Sequence, residues 1–399
     1  MRIFMVHPHD IGSDSEPWTI RIKCIAREFV SKGHEVKLAY FPLSSKVAKR
    51  YHLDGYEVIS LNRNPSPLVF IKNTLLLSKL IVWADIVHFQ KCLHYASVPV
   101  VAAAYLRGKP IHYDWDDWEE KIWYESCGRN IYSYFVGFSF KVLERFLPRL
   151  VDTVSVASNQ LEKLALSFGV GKERIFSAPV GADLNEFSSN INGREVKERY
   201  GISGPLVLYV GQLHGGQYID LFVKAANIIL HRRPDVRFMI VGEGFLQSFL
   251  KRLTQDLGIE DKIIFTGAVP HSEIPKYIGA SNVCVACFRD TEVSRSKSPL
   301  KIVEYLAMGK PIVASNVGEV RKMVGGVGFL IEPGSTEELA KGVLRIISDG
   351  RLRQAMRISG RRRVETKYNW KVTAENLLRA YQKGWSLCNK REFKRRDEL

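Results

Sequence analysis

Ser296-Lys297-Ser298-Pro299-Leu300-Lys301-Ile302-Val303-Glu304-Tyr305 is the stretch from which this chain is best read. Serine is a preferred N-cap and proline is favoured at the first helical position, so Ser298-Pro299 predicts a helix start. The free amides and dipole of such an end attract phosphate oxygens, and Lys297 and Lys301 add positive charge. Glu304 lies three residues beyond Lys301 on the same helix face, where a carboxylate accepts hydrogen bonds from sugar hydroxyls. One helix end is thus expected to hold both the diphosphate and the ribose of a nucleotide, with Lys297, Ser298, Pro299, Leu300, Lys301 and Glu304 as its candidates. An ordinary capped surface helix would carry the same cap signal, so the rest of the chain must decide.

Around this stretch, short β-type runs alternate with helical patterns, the signature of parallel α/β units. One series contains Leu206–Val210, Arg237–Val241, Lys262–Phe265, Val283–Cys287 and Pro311–Ala314. An earlier series contains Arg2–Val6, Glu35–Tyr40, Ile86–Phe89, Pro110–Tyr113 and Thr153–Val156, with an amphipathic Trp18–Lys32 closed by Gly33. The polar segment Asn185–Arg194 separates the two series and reads as a linker. Ligands of open α/β sheets bind beyond the carboxyl ends of the strands. The expected fold class is therefore α/β, two Rossmann-like domains facing across a cleft. The expected division is 1–184, 185–369 and a terminal piece 370–399, whose helical pattern Trp370–Lys383 has no strand after it.

The length, 399 residues, suits two cores rather than one. The most apolar run, Leu68–Trp83, is broken by Lys72 and Lys79 and is too short to span a bilayer. Met1–Val6 passes directly into polar residues, leaving no signal core. The ending Arg396-Asp397-Glu398-Leu399 resembles a retention address but reads as coincidence without such a signal, and a cytoplasmic location is expected. Six cysteines give no disulfide framework; Cys284 and Cys287, three apart on a strand, point to opposite faces and read as core. The net charge of +16 asks for an anionic partner or a solvated surface. It concentrates at Lys46 with Lys49-Arg50, at Arg361-Arg362-Arg363 and in the tail from Lys390 to Arg396. No groove-reading motif accompanies it, so nucleic acid is not an expected partner.

Other stretches invite chemistry. Gly211-Gln212-Leu213-His214-Gly215-Gly216-Gln217 follows a strand and fits a loop that approaches phosphate by its backbone. Tyr113-Asp114-Trp115-Asp116-Asp117-Trp118-Glu119-Glu120 concentrates acid beyond another strand. There Asp116 or Asp117, one of which should face the cleft, would orient an acceptor hydroxyl or take its proton, with Trp115 and Trp118 as flanking rings. His7, His9 and Gly12, after the first strand, are placed on the acceptor side, with local capping as the competing reading of the histidines. Asn130–Leu150 is rich in aromatic residues and carries Lys141, Arg145 and Arg149; it reads either as a buried helix or as one lying on a membrane surface.

The run from Ser296 through Val313 resembles the donor-site signature of glycosyltransferase family 4. Gly33-His34-Glu35-Val36, Gly181-Ala182-Asp183 with Phe187, Gly242-Glu243-Gly244, Phe265–Val269 and Asn369-Trp370 resemble other pieces of that family in order and spacing. The resemblance implies a GT-B fold, a nucleotide-sugar donor used with retention, no metal and no cofactor, and a last helix returning to the N-terminal domain. It also implies donor roles for Gly211, Gln212, Gln217, Gly242 and Val269, and catalytic roles for Glu304 with Asp116 or Asp117. The chain departs from the family at Ser296, where a carboxylate is usual, at Gln212 and Gln217, where cations are usual, and at Asp116, where histidine is usual. The expected activity is transfer of a sugar from a UDP- or GDP-linked donor to a saccharide or lipid-linked acceptor for surface polysaccharide or lipopolysaccharide, at or near the inner membrane surface. The alternative is a degenerate binding protein on the same scaffold.

Overall fold

A computed structural model describes the chain except residues 14–15, 45–48, 65, 128–129 and 398–399 and the side chains of 391–397. Lys46, the basic side chains from Arg391 onward and the last two residues lie outside the described residues. The chain divides into two compact units, Met1–Pro179 with Trp370–Leu399, and Val180–Asn369.

The first unit is built on β1 (Arg2–His7), β2 (Glu35–Tyr40), β3 (Arg50–Leu53), β4 (Tyr56–Ser60), β5 (Ile86–Gln90), β6 (Ile111–Trp115), β7 (Thr153–Val156) and β8 (Ile175–Ser177). These lie in the order β3-β4-β2-β1-β5-β6-β7-β8, and the β3–β4 pair alone among them is antiparallel. Its turn is Asp54-Gly55, both at positive φ (46° and 84°), which matches strand twist in a two-residue hairpin. The helices are α1 (Pro17–Ser31), α2 (Pro67–Leu80), α3 (His94–Leu106), α4 (Glu119–Ser126), α5 (Ile131–Leu150) and α6 (Asn159–Ser167). Leu77 of α2, Val100 of α3 and Phe140 and Leu147 of α5 share one core with Phe4, Phe89 and Tyr113 of the sheet. Those three helices therefore cover the same face.

The second unit runs α7 (Arg194–Arg199), β9 (Leu206–Val210), α8 (Ile219–Leu230), β10 (Arg237–Val241), α9 (Gln247–Asp256), β11 (Ile263–Gly267), α10 (Ile274–Ala280) and β12 (Val283–Ala286). It continues through α11 (Glu292–Ser296), α12 (Leu300–Ala307), β13 (Ile312–Ser315), α13 (Val320–Val324), β14 (Phe329–Ile331), α14 (Thr336–Ser348) and α15 (Gly350–Lys367). The sheet order is β11-β10-β9-β12-β13-β14, parallel throughout. The chain moves outward from β9 to β11 and then crosses back to β12. The switch point, where such sheets bind ligands, thus lies between β9 and β12.

The segment read as a linker belongs to the second unit. Ala182 pairs with Asn369, the Ala182 amide donates to Tyr368 O at 2.8 Å, and Phe187 is buried. The division therefore falls before the Gly181-Ala182-Asp183 turn rather than after it. The last helix, α16 (Trp370–Asp397), packs on the first unit, where the Thr373 hydroxyl donates to Pro179 O and the Tyr381 hydroxyl lies 2.8 Å from His88 Nδ1. Beneath it the buried Arg21 grips Asp114 with two bonds of 2.7 Å, so that each charge has its opposite.

Two other sequence features resolve as packing. Arg361 donates to Phe187 O and Ala307 O, and Arg363 donates to Lys322 O and Gly325 O, so two members of that basic run tie off backbone carbonyls. Cys284 and Cys287 are buried, and burial pushes both thiols up to about 12. Among the described residues, no helix is long and apolar enough to cross a membrane.

Candidate functional site

In the second unit three loops interlock at the carboxyl ends of β9, β10 and β11. The Gly211 amide donates to Val241 O, the Gly242 amide to Gly267 O and the Leu213 amide to Glu243 O, each at 2.9 Å. Glycine is required by both conformation and space. Gly242 (φ 136°) and Gly244 (φ 155°) lie in a region that L side chains avoid, and a Cβ would fall 2.1 Å from Gly211 O and 2.3 Å from Leu213 O. A Cβ on Gly211 would meet Lys301 Nζ at 2.5 Å. The loops thereby bring bare backbone against an ammonium group.

Lys301 stands in the first turn of α12. Its Nζ donates to the Tyr209 hydroxyl at 3.0 Å and to Gln217 Oε1 at 3.2 Å, and it sits 4.2 Å from the centre of the Tyr209 ring. Surrounding protein, more than any charge, lowers its pKa to about 7. Its partners are neutral, so its charge is left for an incoming anion. His214 stands near Lys297 and Lys301; burial first and then those two charges lower its pKa to about 4. Helix α12 is fixed from behind by the Tyr305 hydroxyl, which accepts the Val210 amide at 2.8 Å.

The cap differs from the expectation. Helix α12 begins at Leu300, with Pro299 at the cap position, and the Ser298 hydroxyl instead accepts the Val180 amide at 3.2 Å. The turn beginning at Val180 holds that hydroxyl away from the helix end. Leu300 is buried, so of this group only its backbone remains for a ligand. Ser296 ends α11, buried, with its hydroxyl donated to Val293 O at 2.8 Å. Gln212 is exposed, and Val269 stands half-buried in the loop after β11.

Glu304, one turn beyond Lys301, turns to a different loop. Its Oε1 accepts from His271 Nε2 at 2.8 Å, and His271 Nδ1 lies 3.5 Å from Glu186. Burial opposes charge on this imidazole, but the hydrogen bonds to Glu186 and Glu304 outweigh it and raise the pKa to about 10. His271 is therefore an imidazolium held between two carboxylates.

In the first unit the acids beyond β6 gather on one lysine. Lys91 Nζ lies 2.8 Å from Asp117, 3.4 Å from Asp116 and within hydrogen-bond reach of Glu119, and it covers the Trp18 ring at 4.6 Å. Lys91 is buried and left-handed (φ 63°), a strained backbone that the surrounding ion pairs hold in place. Both aspartates turn toward it, because β6 ends at Trp115 and strand alternation no longer applies. The three carboxylates lie close enough to share a cation, and Lys91 holds that position. Asp116 is buried; its Oδ2 accepts from Gln90 at 2.9 Å, while its Oδ1 has no hydrogen bond. Burial outweighs Lys91 and raises its pKa to about 7.

His7 is not open to an acceptor. It is fully buried, with Nδ1 2.9 Å from Gln90 Oε1 and Nε2 3.1 Å from the Thr19 hydroxyl. The amide oxygen can only accept, which assigns the proton to Nδ1, and burial drops the pKa to about 3. His7 thus orients Gln90, which in turn orients Asp116. His9 lies 3.0 Å from Glu16 and against Trp18, and the exposed Gly12 amide donates to Asp10 at 3.0 Å. Trp115 and Trp118 are buried rather than lining the site; Trp115 donates to Glu144 at 3.2 Å. The aromatic ring at these acids is Trp18.

Residues 204–349 match the family described as glycosyl transferases group 1. This match lies within the second unit. Over 191 residues the chain is 30% identical to an alpha-D-kanosaminyltransferase of Streptomyces kanamyceticus, a match covering 47% of this chain and 48% of that protein. Over 205 residues it is 27% identical to a GDP-mannose-dependent alpha-(1-6)-phosphatidylinositol monomannoside mannosyltransferase of Mycolicibacterium smegmatis, covering 50% and 54%. The chain thus spans about half the length of these curated relatives. A glycosyltransferase structure from Rickettsia africae superposes with a TM-score of 0.75 at 18% identity, covering 96% of this chain and 98% of that one, and the shared fold is GT-B.

In the second unit the structure brings together Gly211, Gln217, Gly242 and Lys301 of the expected donor residues. Glu304, on the same helix as Lys301, pairs with His271, and Gln212 is exposed. His214 stood in the glycine-rich stretch without an assigned role, while Glu186 and His271 of the second unit, like Trp18, Gln90 and Lys91 of the first unit, carried no motif. Their partners lie far away in sequence, 33 residues for His271 and Glu304.

Proposed function

We propose that the protein is a retaining glycosyltransferase of the family 4 type, moving a sugar from a UDP- or GDP-linked donor to a saccharide or lipid-linked acceptor in surface polysaccharide or lipopolysaccharide synthesis. The observation that carries this reading is Lys301, an ammonium group with neutral partners set against glycine-lined backbone at the switch point of a parallel sheet. In the reaction the bond from the anomeric carbon to the diphosphate oxygen breaks and a bond to the acceptor hydroxyl forms on the same face. Charge building on the leaving diphosphate is met by Lys301 and Lys297, with no metal or cofactor assigned. Glu304, oriented by His271, is assigned to the donor's sugar hydroxyls. On the acceptor side Asp116, with one oxygen free of hydrogen bonds and a pKa near neutrality, is assigned to receive the hydroxyl proton. Asp117, Glu119 and Lys91 position it.

A binding protein on the same scaffold is favoured by the exposed neutral Gln212 and the buried hydroxyl of Ser296. The two readings part on turnover. Release of nucleoside diphosphate from one sugar nucleotide, retention of the anomeric configuration by NMR and loss on Glu304→Ala support the transferase. A donor that binds without turnover in the presence of glycan and lipid-linked acceptors supports the binding protein.

A further inference from the structure

We infer that the second unit holds a further small-molecule site, for a phosphate monoester, in a cavity at the amino ends of β9, β12 and β13. It lies at the opposite end of the strands from Lys301 and rests on no residue of the donor site. The cavity has a volume of about 560 Å3, within the range of ligand pockets, and its lining includes Asn192, Lys197, Ser203, Ser281, Asn282 and Lys310. Ser203, Asn282 and Lys310 come just before the strands that start at Leu206, Val283 and Ile312. Part of the wall is bare backbone. A Cβ on Gly193 would fall 2.0 Å from the Ala280 nitrogen, and one on Gly279 would fall 2.9 Å from Ile191 O, so glycine on each side lets residues 191–193 lie directly on the end of α10.

Charge and hydrogen-bond polarity select the ligand. Lys310 Nζ donates to Gly279 O at 2.7 Å and to Ser281 O at 2.9 Å, both neutral, which leaves one N–H and the charge for a third partner. Lys197 lines the same cavity, and Arg357 packs beside Lys310, where a Cβ on Gly309 would meet its Cγ at 2.8 Å. Burial lowers the pKa of Lys310, and Lys197 and Arg357 lower it further, so three cations repel one another here. Asn192 Oδ1 accepts the Arg194 amide at 3.2 Å and Asn282 Oδ1 accepts the Leu206 amide at 2.9 Å, so each turns its donating NH2 end to a ligand. Glu198, the acid of the lining, is paired with Arg194 at 2.7 Å. A carboxylate ligand would answer one of these cations. A phosphate monoester brings nearly two charges and three acceptor oxygens, and the Ser203 hydroxyl and the glycine backbone remain for hydroxyl groups on its esterified body.

The two sites do not overlap. Helix α12 carries Lys301 at its start and leads into Lys310 just past its end, about 12 Å along the helix axis. A nucleotide at one end and a phosphate ester at the other can therefore be held together.

The test is calorimetry of the full chain with ribose 5-phosphate, and with ribose as the uncharged probe. Ribose 5-phosphate is expected to bind, more weakly as salt rises, and ribose is not. Lys310→Met should weaken binding about tenfold or more, through loss of a charged donor. Because Lys310 also ties two carbonyls, a second variant removes charge alone: Lys197→Gln with Arg357→Gln should weaken binding about three- to tenfold at an unchanged melting temperature. Lys301→Met should leave it in place. No binding of ribose 5-phosphate, equal binding of ribose, or affinity within about twofold of wild type in Lys197→Gln with Arg357→Gln overturns the inference. So does loss of binding in Lys301→Met alone, which would seat the ester at the donor site. Nucleotide-sugar thermal shifts should match wild type in Lys197→Gln with Arg357→Gln, so failure of this site and failure of the donor reading are told apart.

Discussion

Replacing Lys301 with methionine removes the ammonium group while leaving an unbranched stem over the Tyr209 and Phe288 rings, which Nζ now covers at 4.2 and 5.6 Å. A hydrogen bond from a charged donor is worth about 1.5–3 kcal/mol, so a diphosphate bound here should lose about 10- to 150-fold in affinity. Stability should change little. The amine's two partners are neutral and keep their mutual bond, Tyr209 hydroxyl to Gln217 at 3.1 Å, and the lost contacts are offset by relief from holding a charge where surrounding protein disfavours it. Calorimetry with the best nucleotide sugar and a melting curve on the same protein read both quantities. Proton linkage adds a second signature. With a free-enzyme pKa of about 7, Lys301 is mostly neutral at pH 8, so a diphosphate must draw a proton onto it. Donor affinity should fall as pH rises above about 7 in the wild type and lose that dependence in Lys301→Met. A variant that keeps donor affinity within about threefold, or loses affinity only by unfolding, would refute the assignment.

Other outcomes follow from the same geometry. His271 has a folded pKa of about 10, above its unfolded value of about 6.5, so its ion pairs stabilise fully below pH 6.5 and are lost as pH rises toward 10; melting of His271→Gln should be flatter over that window than the wild type. Gly242→Ala places a Cβ 2.1 Å from Gly211 O at a positive φ, and should cost about 1–3 kcal/mol in urea unfolding while weakening donor binding. Lys91→Met strands Asp116, Asp117 and Glu119 without their common cation, and should destabilise the first unit by about 3–5 kcal/mol, read as a shifted urea midpoint.

The repeating strands were legible because parallel strands buried on both faces read as continuous apolar runs, as in Leu206–Val210 and Arg237–Val241. The strands β3, β4, β8 and β14 escaped that reading, although Asp54-Gly55 between Leu53 and Tyr56 was a hairpin signal. Lys301 and the glycines were legible because their chemistry is local: a charge in a first helical turn, and backbone that admits no Cβ. Ser298 misled because capping propensity says what a serine does best locally, and here the Val180 amide competes for its hydroxyl. Trp115 misled for a similar reason; its place beside acids suggested a sugar platform, whereas it continues β6 into the core. Lys91 and His271 were illegible because an ion pair across the fold leaves no spacing in the sequence.

The central claim, that the second unit holds a sugar nucleotide for transfer, is tested most directly by thermal shift against UDP- and GDP-sugars, followed by nucleoside diphosphate release with the stabilising donor. At a hundredfold excess over Kd a ligand stabilises by about 2.7 kcal/mol, enough for a shift of several degrees. The predicted result is one donor that raises the melting temperature and releases its nucleotide, with release lost in Glu304→Ala. A full panel that neither shifts the melting temperature nor turns over would contradict the account.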